Sequence, residues 1–136
     1  ALTNHEHGFF LYCGHGGGQS CFSRKQVERL SSSENKQPSL STLVLMGCSS
    51  AKLVAPNRRD LARFRKVPIH YEPEGIALSY LCKGAPCVVG NLWDVTDRDI
   101  DRFCAKFLTE FFRQDEAENV SVAASVARGR AACKLK

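Results

Sequence analysis

Three short segments made almost wholly of apolar or small residues constrain the fold of this chain more than any other feature. They are FFLYC at residues 9–13, STLVLMG at residues 41–47 and CVVGNLW at residues 87–93. Segments with helical patterns separate them along the chain. Strands that are apolar on both faces and alternate with helices are typical of a parallel sheet covered on both sides. We therefore predict an α/β protein in which helices sandwich a mostly parallel sheet.

The segments between and before the strands carry helix start and stop signals. SRKQVERL predicts a short helix, because Ser23 is a good N-cap and Gln26 follows three residues later. EPEGIALSYLCKG predicts a second helix, with Pro73 in its first turn and Gly84 at its end. The order of strands and helices therefore alternates, as a parallel sheet requires.

A third helix is predicted after the last strand, and it carries an apolar stripe. Thr96 and Asp99 have the spacing of a capping box at its start. Its apolar residues recur at helical spacing on one face: Ile100, Phe103, Cys104, Phe107, Leu108 and Phe111. We interpret this stripe as core and not as a cofactor site. A last helix is predicted from Val120 to Cys133.

Length and charge set limits on the class of protein. A chain of 136 residues supports one domain with a real core. Its formal charge is +5, and six Lys or Arg residues accompany a single acid between Lys52 and Lys66. We interpret that run as a solvated loop and expect no direct nucleic-acid binding from it. Neither a transmembrane stretch nor a signal peptide is visible, so no membrane partner is expected. The chain opens on ALTNHEHG without an initiator methionine and looks like a piece of a longer protein.

The seven cysteines form neither a C-x-x-C pair nor a paired Cys/His knuckle. Their odd number and irregular spacing argue against a disulfide framework and against a structural zinc site, so we predict no metal. We expect most of them to be small buried residues in a reducing compartment.

Residues with reactive or ionisable side chains follow each of the three predicted strands, in CGHGGG, MGCSS and NLWDVTD. Parallel strands bring their carboxyl ends to one edge, so His15 and Cys48 are expected to be neighbours there. A thiol beside an imidazole can be held as a nucleophilic thiolate. Backbone N–H groups of the adjoining turns can stabilise an oxyanion. The alternative is a glycine-rich turn with an incidental histidine, and a buried structural cysteine.

The third strand end adds two carboxylates, Asp94 and Asp97, beside Trp93. An acidic pair near a thiol can form a pocket for a cationic side chain, and arginine is favoured because its guanidinium binds carboxylates through two parallel bonds. Asp97 lies in the first turn of the predicted helix, where an acid favours the helix dipole without any ligand. Asp94 precedes that turn, which makes it the first choice for the arginine pocket.

These segments closely resemble the C-terminal protease domain of the separase family. YCGHGGG, LMGCSSA, EPEGIALSYL and GNLWDVTDRDIDRF carry the resemblance, which runs from about Phe9 to Phe112. Separases are caspase-like cysteine peptidases, so the resemblance implies a three-layer α/β/α sandwich, present at residues 1–136 as a partial peptidase domain. The first strands of that sheet, and the helical region that binds securin, are not part of the segment that matches.

The resemblance also implies a function. Separases cut the kleisin subunit of cohesin after an arginine, which releases sister chromatids at anaphase, and the expected location is the cytoplasm and nucleus. The family's dyad carries over to His15 and Cys48, and its oxyanion donors to the backbone N–H groups of Gly16 and Cys48. Securin is the family's inhibitory chaperone, and cyclin B–kinase complexes are a further inhibitor in vertebrates. No cofactor is implied.

Two other functions remain open at the level of sequence. Tetratricopeptide-associated caspase-like peptidases share the GHG and strand-end cysteine patterns, although they usually have proline at the position of Asp94. A catalytically inactive docking module is the second, and the joint presence of His15 and Cys48 counts against it. The segment from Lys52 to Tyr71 is longer and more basic than expected of the family. It either contacts acidic residues of a substrate or forms a lineage-specific surface loop.

Overall fold

A parallel sheet forms the centre of the protein. The computed structural model describes residues 8–30, 40–54, 73–113 and 121–134. Within these ranges the sheet has three strands, in the spatial order β1 (Phe9–Cys13), β2 (Thr42–Met46) and β3 (Val88–Gly90). Both strand pairs are parallel, with Cys13 opposite Met46 and Leu45 opposite Gly90. The predicted parallel sheet is confirmed, and the carboxyl ends of its strands share one edge.

Four helices lie within the described ranges: α1 (Arg24–Glu28), α2 (Ile76–Cys82), α3 (Asp97–Phe111) and α4 (Val122–Arg130). α1 begins with the predicted capping box, because the Ser23 hydroxyl accepts the Gln26 N–H and the Gln26 side chain accepts the Ser23 N–H. In α3 the cap is different. The Thr96 hydroxyl accepts the Asp99 N–H, while the buried Asp99 carboxylate accepts from Arg102 at 3.1 Å.

The start of α2 differs from the prediction. Pro73 lies before the helix and not in its first turn, because α2 begins at Ile76 with Gly75 as its N-cap. Glu74 explains the difference. It pairs with Val54 in an isolated antiparallel bridge, with N–O distances of 2.7 and 3.0 Å, and this pairing keeps the segment extended as far as Gly75.

Two further elements, β3 and the last helix, are shorter than predicted. β3 ends at Gly90, because the next residue, Asn91, turns its carbonyl toward the Ala51 N–H at 2.9 Å and so leaves the sheet. The last helix occupies Val122–Arg130 and is capped by the Ser121 hydroxyl, which accepts a backbone N–H at 3.1 Å. Residues 31–39 and most of the basic segment, residues 55–71, lie outside the described residues.

Two hydrophobic clusters pack on opposite faces of the sheet within the described ranges. The cluster under α1 and α2 contains the buried residues Val27, Leu40, Leu43, Leu45, Ile76, Tyr80 and Ala85. The cluster under α3 and α4 contains the buried residues Val44, Met46, Ile100 and Phe107, with Phe103, Cys104, Leu108 and Phe111 packed against them. Successive residues of β2 therefore point into different clusters, as strand geometry requires. The three-layer α/β/α arrangement and the core role of the α3 stripe are both confirmed.

The prediction that most cysteines are buried is wrong. Three of the seven are exposed and four are partly exposed: Cys13, Cys21 and Cys82 in the first group, and Cys48, Cys87, Cys104 and Cys133 in the second. Cys13 is the last residue of β1 and Cys82 is the last residue of α2, and at these ends the core no longer covers the side chain. Burial raises the pKa of the Cys104 thiol to about 11. All seven are free thiols.

A separate feature concerns membranes. No helix in the described ranges combines the length and the apolar character needed to cross a bilayer.

Candidate active site

The carboxyl edge of the sheet gathers three turns, at residues 14–20, 47–52 and 91–96. The turn after β2 lies in the middle, with the first turn bonded to the last residue of β2 and the third turn bonded to the middle turn itself. Gly14 donates its N–H to the Met46 carbonyl at 3.1 Å, and Ser49 donates its N–H to the Trp93 carbonyl at 3.1 Å. The edge is therefore a connected set of turns, and each turn carries one of the predicted site residues.

The first and second turns meet at a glycine. A side chain on Gly47 would collide with the backbone oxygens of Gly14 and Gly16, so a residue with a Cβ cannot take this position without displacing the other turn. Gly16 has a φ of +60°, a conformation that glycine adopts at little cost. The backbone that carries His15 thus lies directly against the backbone that precedes Cys48.

His15 is exposed at the tip of the first turn. The Tyr12 hydroxyl donates to its carbonyl at 3.1 Å and so anchors the turn to the end of β1. Within the described residues the imidazole itself has no hydrogen-bond partner. The ring is therefore accessible to a peptide bound along the edge.

Cys48 is partly buried, and its thiol is directed toward the third turn. Sγ donates to Oδ1 of Asp94 at 3.2 Å, contacts the carbonyl oxygen of Val95 at 3.5 Å, and accepts the Val95 N–H at 3.2 Å. The structure therefore brings Cys48 and Asp94 together. It does not form a bond between the Cys48 thiol and the His15 imidazole.

Asp94 receives a second and shorter hydrogen bond from Ser49. The Ser49 hydroxyl donates to Oδ1 at 2.5 Å, on the same oxygen that Cys48 contacts. These bonds, chiefly that of Ser49 and then that of Cys48, hold the pKa of Asp94 below its ordinary value, and the charge of Lys52 acts in the same direction. Asp94 is therefore an exposed anion beside the thiol.

Ser49 itself was missed as a site residue by the sequence analysis. Its φ of 52° lies in the left-handed region that non-glycine residues rarely adopt. Such a conformation persists only where the surroundings hold it. Here the bonds to the Trp93 carbonyl and the Asp94 carboxylate do so.

Two further polar residues behind the site were also missed. The hydroxyl of the fully buried Ser50 donates to the Leu45 carbonyl at 2.6 Å and accepts the Asn91 N–H at 3.0 Å. The Asn91 side-chain amide donates to the Gly47 carbonyl at 3.0 Å. Together they fasten the second turn to the third. For Asn91, a polar residue directly after an apolar strand is the signal that could have found it, since buried polar groups need partners.

The remaining predicted residues take different positions. Asp97 is the first residue of α3 and is exposed, and within the described ranges it has no bond to the Cys48 turn. The backbone N–H groups of Gly16 and Cys48 have no protein acceptor within the described residues. Trp93 is 69% exposed and Leu92 is 53% exposed, so an apolar surface borders the carboxylate.

Comparisons with known proteins identify the family of the chain. Residues 1–100 match the family model described as "Separin, protease domain". The chain is 35% identical over 132 residues to separin of Schizosaccharomyces pombe, covering 94% of this chain and 6% of that protein. It is 33% identical over 132 residues to separin of Saccharomyces cerevisiae, with 93% and 7% covered. It is 38% identical over 108 residues to separin of Mus musculus, with 79% and 4% covered.

The structural comparison gives the same family. The Saccharomyces cerevisiae separase–securin complex matches with a TM-score of 0.66 and 32% identity, over 93% of this chain and 7% of that chain. The chain therefore spans only a small part of the length of the proteins that it matches.

Proposed function

Because the chain belongs to the separin protease domain family, we propose that it carries the active site of a cysteine endopeptidase that cuts the kleisin subunit of cohesin after an arginine. The observation that carries the proposal is the meeting of the His15 and Cys48 turns at Gly47. A nucleophile and a general base must come within reach of one peptide carbonyl, and these two turns offer that arrangement.

The proposed reaction has two steps. The Cys48 thiol gives its proton to His15, and its sulfur attacks the carbonyl carbon of the substrate arginine. The backbone N–H groups of Gly16 and Cys48 donate to the resulting oxyanion. The C–N bond then breaks, and the proton passes from His15 to the leaving amine. In the second step water attacks the thioester carbonyl while His15 takes its proton, the C–S bond breaks to release the new carboxyl terminus, and the proton returns from His15 to the sulfur of Cys48.

Selectivity for arginine is proposed to come from Asp94. Its Oδ1 is occupied by Ser49 and Cys48, but Oδ2 has no protein partner within the described residues. A guanidinium bound there would lie beside the nucleophile, as the residue before the cleaved bond must. Trp93, which is exposed next to Asp94, offers an apolar surface for the methylene groups of the arginine. Asp97 is the second choice and is proposed to orient the loop.

Partners of the whole protein are proposed from the family. The structural neighbour is a complex with securin, and we propose that a securin also inhibits this protein. A cyclin B–kinase complex is a further proposed inhibitor. The cytoplasm and nucleus are the proposed locations, because the substrate is chromosome-bound cohesin.

Cleavage of a kleisin by the full-length protein tests the function. We expect fragments whose new carboxyl terminus is arginine, identified by mass spectrometry, and we expect replacement of that arginine in the kleisin to prevent the cut. Cleavage after other residues, or fragments that also arise with the Cys48→Ser protein, would contradict the proposal.

Asp94→Asn tests the arginine pocket. We expect the ratio of kcat/KM for Arg over Leu peptides to fall by roughly two to three orders of magnitude, because a guanidinium that the bound peptide shields from water would lose its anionic partner. Lys peptides should already have a lower kcat/KM than Arg peptides in the parent, since an ammonium cannot form the two parallel hydrogen bonds that a planar guanidinium forms. The measurement is kcat/KM for matched peptides with Arg, Lys, citrulline and Leu at the cleaved position.

Asp97→Asn is the comparison variant for that experiment, because Asp97 is the second choice for the pocket. It removes the same charge from the next accessible carboxylate, one that makes no bond to the Cys48 turn within the described residues. We expect it to leave the preference for arginine within a few-fold of the parent. An unchanged arginine preference in Asp94→Asn would show that the pocket lies elsewhere.

A further inference from the structure

The bond between the nucleophile and the carboxylate has a consequence for reactivity. In the structure Sγ of Cys48 lies 3.2 Å from Oδ1 of Asp94 and 3.5 Å from the Val95 carbonyl oxygen, and within the described residues it has no hydrogen bond to His15. A thiol whose hydrogen is directed at this carboxylate does not present that hydrogen to His15, the proposed base. The residue proposed to bind arginine thus also keeps the nucleophile turned away from its proposed base.

We propose that Asp94 caps the Cys48 thiol, and that the guanidinium of the substrate arginine releases it by taking over the carboxylate. This inference rests on the proposed function, since it assigns a second role to the proposed arginine-binding residue. In the capped form the thiol is bonded to Asp94. In the released form the thiol is free to turn toward His15 and to transfer its proton to the imidazole.

Ser49 and Val95 give the cap its geometry. The Ser49 hydroxyl, at 2.5 Å, keeps Oδ1 of Asp94 in place. The Val95 N–H, at 3.2 Å, also donates to the sulfur and so fixes its position. Because Asp94 is exposed, an incoming cation reaches Oδ2 without first displacing any protein group within the described residues.

Release needs a cation, and this makes the cap selective. A guanidinium offers five donors and a full positive charge, so its binding offsets the charge beside the sulfur and competes for the oxygen that the thiol contacts. An apolar side chain such as leucine can do neither. Arginine is then favoured twice, once in binding and once in the freeing of the nucleophile.

Alkylation of Cys48 by iodoacetamide tests the cap without any substrate. In this reaction the thiolate forms a C–S bond and displaces iodide, so its rate follows the thiolate that is available. The full-length protein is labelled at fixed pH, and the rate at Cys48 is read from its peptide by mass spectrometry. We expect Asp94→Asn to raise that rate by about tenfold, the effect of one adjacent charge on an ionisable group.

Control variants distinguish loss of the cap from unfolding and from a general change in surface charge. Asp94→Ala should raise the rate at least as much as Asp94→Asn, because it removes the acceptor together with the charge. Asp101→Asn removes an equal charge from the exposed surface of α3 and should leave the rate unchanged. Alkylation of the partly exposed Cys87 and Cys104 should stay as slow as in the parent, whereas unfolding would speed all three sites together.

A second readout uses substrates. If Asp94 only binds arginine, Asp94→Asn lowers kcat/KM for Arg peptides and leaves Leu peptides unchanged. If it also caps the thiol, kcat/KM for Leu peptides rises by about tenfold, as alkylation does. Unchanged or slower alkylation of Cys48 in Asp94→Asn would overturn the cap, even where cleavage after arginine is intact. Faster alkylation in a protein that fails to cut after arginine would instead refute the proposed function and leave the cap standing.

Discussion

Cys48→Ser is expected to abolish peptide cleavage and to leave the fold and peptide binding intact. The serine hydroxyl has nearly the shape of the thiol, and it can keep the bonds to Asp94 and to the Val95 N–H. It cannot replace the thiol as nucleophile, because a hydroxyl ionises far less readily at neutral pH. The measurement is kcat/KM with an arginine peptide, alongside the affinity for the same peptide made uncleavable.

Active-site labelling provides the companion measurement. An arginine peptide with an acyloxymethyl-ketone group should label Cys48 in the parent protein. Cys13, Cys21 and Cys82 are more exposed than Cys48 and therefore serve as internal controls. Labelling spread over those three cysteines, or residual cleavage in Cys48→Ser at more than a trace of the parent rate, would refute the assignment of the nucleophile.

The strands and the order of elements were accessible from the sequence because their signals are local. A short apolar run such as Phe9–Cys13, bounded by glycine, favours a strand, and the structure places β1 over these residues. The Ser23 capping box was predictable for the same reason, since donor and acceptor lie three residues apart.

The boundaries that differed depend on contacts between distant residues. Glu74 stays extended because of Val54, twenty positions earlier, and Asn91 leaves the sheet to bond Ala51. Neither contact has a pattern in the sequence near the boundary. Hydrophobic periodicity shows where an element can form, whereas its last residue is decided by what that residue bonds.

In the candidate site, too, one part was predictable from the sequence and another part depends on contacts between distant residues. The meeting of the His15, Cys48 and Asp94 turns follows from strand direction alone, because parallel neighbours end at one edge. The direction of the Cys48 thiol does not follow from it. That direction depends on the left-handed backbone of Ser49 and on the Val95 N–H, both of which are set by the packing of one turn against another.

His15→Ala is expected to lower kcat by about 10²- to 10⁴-fold, the usual contribution of a positioned general acid–base. The loss should appear in kcat more than in KM, because the imidazole acts on the transition state and not on the bound peptide. The preference for Arg over Leu should be preserved, since Asp94 is untouched. The measurement is steady-state kinetics on both peptides, with and without imidazole in the buffer.

Rescue and a matched control distinguish catalysis by His15 from a role in shaping its turn. Because His15 is exposed, free imidazole should reach the space left in His15→Ala and restore part of the rate. Tyr12→Phe removes the hydroxyl that holds the His15 carbonyl and perturbs the turn without touching the ring, so only a small loss is expected from it. If Tyr12→Phe lost as much activity as His15→Ala, and imidazole restored neither, His15 would serve the turn and another group would have to accept the proton from Cys48.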